Sequence, residues 1–321
     1  RVILQGNRAV GVEYRPTGSG ALVQVMAQRE VIISAGTLNS PKVLQLSGIG
    51  PPELLGQHGI AVSRALPGVG LNFRDHYSPR FVVRAKAGVD TINGHARGLP
   101  LVWQVVKWLA GQPSILKLSP ALVHVFGKTA PELATPDFSL VYTPGSYKQG
   151  FIGRLDDFPG MTCGAWQMRP RSSGYVRIAG ADPALAPLAD PNYLGEEEDQ
   201  RVLVGALRAA RQILQSTALK PFVDSEIFPG GQVQTDDELL AFAREYGVSS
   251  YHLVGSCKMG PASDSLAVVD HRLMVHGVAG LRVADASIMP TLTSSNTYAP
   301  TMMIAEKAAE LVLGSVNSGG R

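Results

Sequence analysis

Cysteine is scarce in this sequence. Cys163 and Cys257 are the only two in 321 residues, and they lie far apart without metal-type spacing. That argues against a disulfide framework and a zinc site and is compatible with a reducing compartment; the location is otherwise unknown, with the cytoplasm expected ahead of secretion. Charge is sparse too: Asp, Glu, Lys and Arg make up 17% of the chain, against roughly 25% in an ordinary soluble domain. With hydrophobic residues at 45%, a large buried core under a modest polar surface is expected. The formal net charge is +3 and no run of consecutive basic residues occurs. A nucleic-acid groove and a polybasic membrane anchor are therefore not suggested. No apolar run is long enough to span a bilayer; the most apolar window, residues 99–110, is short and holds Gln104 and Lys107. Membrane association is otherwise unspecified. No G-x-S-x-G elbow is present, which removes a serine hydrolase. No G-x-G-x-x-G opens a strand–turn–helix unit, so the usual dinucleotide turn is missing as well.

The length allows roughly two domains. The chain opens on Arg1 inside a strand-like run and is expected to be part of a longer protein. Strands are expected at 1–4, 9–14 and 22–26, separated by Gly6–Asn7 and by Thr17–Gly18–Ser19–Gly20. A short buried strand follows at 29–34. These read as an antiparallel meander inserted in an α/β domain. Residues 36–51, GTLNSPKVLQLSGIGP, read as a helix with an apolar stripe of Val43, Leu44 and Leu46, ended by glycine. A short helix at 52–58 and a strand at 60–65 come next, then the turn Pro67–Gly68–Val69–Gly70 into LNFRDH.

From Tyr77 the pattern changes. Strands are expected at 81–86 and 138–142. Residues 164–169 and 174–178 read as two strands joined by the turn 170–173. Helices are expected at 99–111, at 196–216 and at 236–245. The long one carries Val202, Leu203, Leu207, Ala210 and Leu214 on one face, and the last has Thr235 and Glu238 as a capping box. This middle block reads as α+β, with antiparallel sheet and helices. Short strand-like pieces follow at 268–272 and 273–276.

The closing stretch, 285–313, reads as a strand end, a polar loop with Ser294, Ser295, Asn296 and Thr297, and a helix with Pro300 in its first turn. A helix start offers unpaired N–H groups and the positive end of a dipole, suited to an anionic or electron-rich ligand. His271 and His276 read as turn residues rather than metal ligands. Met302 and Met303 read as core, Ala305, Ala308 and Ala309 as close helix packing, and Cys257 as a small core residue. Trp166 and Tyr251 fit a substrate cavity or an ordinary core equally.

Four segments carry a resemblance. GTLNSPKVLQLSGIGP, LPGVGLNFRDH, YHLVGSCKMG and the stretch from VVDHRLMVHGVAGLRVADASIMP through SSNTYAPTMM resemble the glucose–methanol–choline (GMC) flavin oxidoreductases, in their choline-dehydrogenase-like branch. The resemblance runs the length of the chain, loosely in the middle block, and lacks the family's Gly-rich N-terminal FAD segment. It implies an incomplete α/β FAD-binding domain from residues 1–75 and 249–321, with an inserted α+β substrate domain, residues 76–248, built on an antiparallel sheet. It implies FAD as cofactor and oxidation of a small-molecule alcohol by hydride transfer to the flavin N5. Oxygen or a quinone-type carrier would take the electrons. His252 and Asn296 would be catalytic. Asp285, Ala286, Tyr251, Thr297, Ala35 and Gly36 would contact the cofactor, and no metal is implied.

The implied chemistry suits these residue types. A neutral imidazole can take a hydroxyl proton near neutral pH, and an amide can donate to a developing alkoxide without titrating. An Asp beside a phosphate is unfavourable by charge, so Asp285 is expected to bind backbone N–H groups or a ribityl hydroxyl. A fatty-acid photodecarboxylase of the family would carry Cys before the Arg169–Pro170 pair, where this chain has Met168. A non-redox FAD-containing lyase and an inactive fragment are the other readings. The chain alone is not expected to retain stoichiometric FAD.

Overall fold

The computed structural model describes residues 1–18, 20–119, 121–148 and 153–318, with backbone alone for 315–318. Ser19, in one of the expected turns, lies outside the described residues. The chain divides into two compact units. One comprises Arg1–Asp75, Ser172–Gly195 and Tyr251–Arg321, and the other His76–Arg171 and Glu196–Ser250. The units meet in sequence at 75/76, 171/172, 195/196 and 250/251. Residues 172–195, expected in the middle block, fall instead within the first unit.

The first unit opens with an antiparallel meander of strands Val2–Gln5, Arg8–Tyr14 and Val23–Met26. Strand Val31–Ile33 then pairs in parallel with Leu281–Val283, residue 31 opposite 281. Val31, Ile33, Leu281 and Val283 are buried together with Leu44, Ile49, Val254 and Val268 in one core. That core fixes the ends of both strands, and the candidate site grows from those ends.

Helix Gly36–Leu46 departs from the expected apolar stripe. It buries Leu44, but with Thr37, Ser40, Pro41 and Gln45, while Val43 and Leu46 are only half-buried. Polar side chains can be inside because each is bonded. The Gln45 amide donates to the carbonyls of Val69 and Val176 and accepts from the N–H of Ile178. These bonds hold strand Gly174–Arg177 in the first unit, where it pairs with Leu71–Phe73 and Leu188–Asp190. The expected pairing of 164–169 with 174–178 is therefore absent, since residues 160–167 belong to the other unit's sheet. The strand expected at 60–65 reduces to Arg64–Ala65, parallel to Ile49–Gly50. Residues 268–276 make isolated bridges rather than strands. In the last helix, Tyr298–Ser318, Ile304 and Ala308 are buried, whereas Met302 and Met303 are 48% and 61% exposed. The methionines are thus not core, and of the three alanines only Ala308 is buried; the helix packs along a narrow stripe.

The second unit is built on a five-stranded antiparallel sheet in the order Val123–Gly127, Phe138–Thr143, Gly160–Gln167, Arg80–Ala85, Val223–Phe228. Every residue of the central strand Gly160–Gln167 is buried. Helix Glu197–Leu214 covers it with Val202, Leu203, Leu207, Ala210 and Leu214, all buried at three- and four-residue spacing. Arg211 on the same helix makes a two-pronged pair with Glu226, at 2.8 and 3.1 Å, and lies 5.0 Å from the Phe81 ring centre. The capping box at helix Asp236–Tyr246 is formed on both sides: Glu238 N donates to Thr235 Oγ1, and Glu238 Oε2 accepts from Thr235 N. Thr235→Ala is expected to cost about 1 kcal/mol in a urea titration; an unchanged midpoint would show that the box adds nothing.

Each unit holds one buried thiol, Cys163 in the second and Cys257 in the first. Burial pushes the Cys163 pKa up to about 12 and raises that of Cys257 as well. Among the described residues no helix is long and apolar enough to cross a membrane, and no three His, Cys, Asp or Glu are grouped to hold a metal. His276 bonds through Nε2 to the Gly260 carbonyl, 3.0 Å away.

Candidate active site

The two expected catalytic residues meet. Asn296 Nδ2 lies 3.1 Å from His252 Nε2, although 44 residues separate them. The amide's orientation has a local cause. Ser295 Oγ donates to Asn296 Oδ1 at 3.3 Å, which turns the amide NH2 toward the imidazole. An N–H donated to Nε2 requires a lone pair there, so this geometry selects the neutral imidazole protonated at Nδ1. The electrostatics agree. His252 is 8% exposed, and burial lowers its pKa below the ordinary 6.5. Asn296 itself is exposed.

Residues 72–75 and Thr37 hold the His252 loop. Asp75 Oδ1 accepts from the His252 N–H at 2.9 Å. Arg74 and Val254 exchange both backbone hydrogen bonds at 3.0 Å, so residues 72–75 run antiparallel to the loop. Asn72 Nδ2 donates to the carbonyls of Gly255 and Pro290. From the other side, Thr37 Oγ1 donates to the Leu253 carbonyl at 2.7 Å, and Ser256 Oγ donates to the Thr37 carbonyl at 2.6 Å. Gly255 must be glycine: its φ is +93°, and a Cβ would stand 2.3 Å from the Asn72 carbonyl oxygen.

The expected cofactor residues separate into two groups. Asp285 is buried and turned inward. Its Oδ2 accepts from Gly36 N at 2.9 Å and from the Ser40 hydroxyl at 2.5 Å, and its Oδ1 accepts from Ser287 N at 2.8 Å. It joins the ends of the parallel strands, and its hydrogen bonds go to backbone N–H groups and a serine rather than outward. Thr297 is also buried; its carbonyl accepts from Thr301 N and Thr301 Oγ1, which begins the last helix. Ala35, Gly36, Ala286 and Tyr251 are exposed or half-buried. Gly36 has φ +80° and open space where a Cβ would be. Tyr251, 69% exposed, takes the left-handed φ of +61°. Trp166 lies in the second unit, buried between the rings of His76 and His124.

Sequence reasoning missed the residues that hold the site. Asp75 stands in the segment LNFRDH, but nothing in its local pattern says that it reaches a loop 177 residues away. Ser40, Thr37 and Asn72 were similarly unreadable. The weak signal available was their polarity in segments that otherwise had to pack.

Two family models match the chain, over residues 1–78 and 170–305, and both are described as GMC oxidoreductase. The chain belongs to that family. Among its relatives, the mitochondrial choline dehydrogenase of Homo sapiens is 37% identical over 98% of this chain and 52% of its own length. The oxygen-dependent choline dehydrogenase of Cronobacter sakazakii is 37% identical over 98% of this chain and 56% of its own length. The chain thus spans about half the length of these relatives. Of solved structures, pyridoxine 4-oxidase from Mesorbium loti matches with a TM-score of 0.81 at 26% identity, over 96% of this chain and 55% of its own. Formate oxidase from Aspergillus oryzae shares the fold, with a TM-score of 0.90 at 23% identity over 99% of this chain and 60% of its own.

Proposed function

We propose that this chain carries the catalytic face of a FAD-dependent enzyme that oxidises an alcohol to the aldehyde or ketone. The observation that carries the reading is the His252–Asn296 pair with its amide turned by Ser295. An alcohol entering there would displace the Asn296 N–H from Nε2 and give its hydroxyl proton to that lone pair. The Asn296 N–H can then donate to the oxygen as negative charge develops on it. The pair needs no proton rearrangement before substrate arrives, because the imidazole is already neutral.

The residues present fit the cofactor. Ala35 and Gly36 lie open at a strand end, with space at the Gly36 Cβ position. Tyr298 and Ala299 are exposed in the first helical turn, where N–H groups have no partner within the helix. Together with Ala286, Tyr251 and the backbone near Thr297, these would hold FAD, while Asp285 fixes the backbone behind them. FAD, when bound, supplies the acceptor for the carbon-bound hydride. The relatives' names make choline the first alcohol to test and oxygen the first acceptor, with a quinone-type carrier as the alternative acceptor.

The test is anaerobic mixing of the full-length, FAD-loaded protein with a panel of alcohols. Bleaching of the flavin absorbance supports the reading, and a panel that never bleaches it overturns redox turnover in favour of a lyase. The pH dependence has a definite sign. Burial disfavours the imidazolium, so the base stays competent to lower pH than a free histidine does. The kcat/KM profile is expected to fall on the acid side with a pKa below 6.5. A limb above 7 would contradict the assignment.

A further inference from the structure

We infer that Asp75 is the positioning residue of this site, holding the main chain of His252 while Tyr193 holds the Asp75 carboxylate. The inference rests on the catalytic reading of His252 given above. Asp75 is 3% exposed. Its Oδ1 accepts from His252 N at 2.9 Å, and its Oδ2 accepts from the Tyr193 hydroxyl at 2.5 Å. One carboxylate therefore joins segments that lie 118 and 177 residues from it in sequence.

The backbone around these three residues is independently informative. Five non-glycine residues in the described chain have positive φ: Asn72, Asn192, Leu194, Tyr251 and Leu273. Four of them stand within three residues of Asp75, Tyr193 or His252. Asn192 and Leu194 flank Tyr193 at φ +56° and +57°, and Tyr251 precedes His252 at φ +61°. L-residues adopt this region at a cost, and it persists where surrounding bonds over-determine the conformation. At His252 the N–H bond to Asp75 is such a constraint. It follows directly after the left-handed turn at Tyr251 and so sets where the His252 Cα–Cβ bond points. The imidazole then meets Asn296 at 3.1 Å without a search.

The experiment uses the full-length, FAD-loaded protein and the variants Asp75→Ala, Asp75→Asn and Tyr193→Phe. A misplacement on the order of 1 Å can cost about 100-fold in the chemical step. Asp75→Ala is accordingly expected to slow flavin reduction at saturating alcohol by about 100-fold, with alcohol affinity changed less than about threefold. Asp75→Asn can still accept from His252 N through its amide oxygen and turn its NH2 toward the tyrosine oxygen. Reduction is expected to recover to within about tenfold of the parent. A second readout needs no turnover: titration of the His252 ring by 15N NMR in the cofactor-free full chain. Freed from its tether in Asp75→Ala, the ring is expected to titrate closer to 6.5 than in the parent.

Parent-like reduction in Asp75→Ala overturns the inference. So does equal loss in Asp75→Asn and Asp75→Ala with the His252 titration unmoved, which would mark a purely structural carboxylate. If Asp75→Ala does not fold, Tyr193→Phe decides, with a loss of about fivefold or more at unchanged affinity in support and a parent-like rate against. His252→Ala in the same series keeps the two claims apart. A fast His252→Ala defeats the catalytic reading itself. A slow His252→Ala beside a fast Asp75→Ala defeats only the positioning role.

Discussion

His252→Ala is expected to slow reduction of the flavin by alcohol about 1,000-fold, within the range of 10²–10⁴ that positioned bases contribute. His252 Nε2 lies 3.1 Å from the Asn296 amide nitrogen, and burial disfavours protonation of the imidazole. Without it the hydroxyl proton must pass to water. Asn296→Ala is expected to cost less, about 100-fold, the lower end for a single donor to a developing oxyanion. The two losses should not multiply. On the proposed reading Asn296 would stabilise charge that develops only as His252 takes the proton, so the double variant is expected to resemble His252→Ala. Single-turnover stopped-flow at saturating alcohol separates this step from product release. If the rates of the two variants combine multiplicatively, the residues act independently and the shared-oxygen picture is wrong.

The second large effect concerns stability and the cofactor side of the site. Asp285→Ala removes one acceptor and strands three donors, Gly36 N, Ser287 N and the Ser40 hydroxyl. Ser40 Oγ in turn accepts from Ala35 N at 3.1 Å, so the damage reaches the strand end at Ala35–Gly36. Each buried donor left unpaired costs about 1–3 kcal/mol. Some will recover by rotation of Ser40, so a net loss of about 3–5 kcal/mol is expected. Urea denaturation of the purified protein measures it. The full-length protein should also lose FAD on gel filtration, because the open backbone at Ala35 and Gly36 is no longer fixed. A variant within about 1 kcal/mol of the parent would show that Asp285 is not the joint between the two strand ends.

The sequence made the local elements readable and left their partners hidden. Helix Glu197–Leu214 and the capping box of Asp236–Tyr246 follow from spacing and cap chemistry, which act within a few residues. The antiparallel middle block was legible for the same reason. Local pattern marks Gly174–Arg177 as a strand and suggests 164–169 as its neighbour, but it pairs with Leu71–Phe73 and Leu188–Asp190. Its place depends on the Gln45 amide and on Leu71–Phe73, over 100 residues earlier, and no period records that. Met302 and Met303 read as core because they are apolar, yet the helix has only a narrow buried stripe. At the site, His252 and Asn296 stand out only through segments that resemble the family, and the fold brings the two side chains to 3.1 Å. Asp75 and Tyr193 were not assigned, since their roles exist only once three distant segments converge.

The two cysteines give the molecule a built-in report on its own opening. Cys163 and Cys257 are both buried thiols with raised pKa values, one in each compact unit. An alkylating reagent needs an accessible thiolate, so labelling at either position counts the moments when that unit is open. Peptide mapping after brief labelling would then assign separate opening rates to the two halves of one chain. A variant that loosens only the His252 loop could be told from one that unfolds the sheet of the other unit.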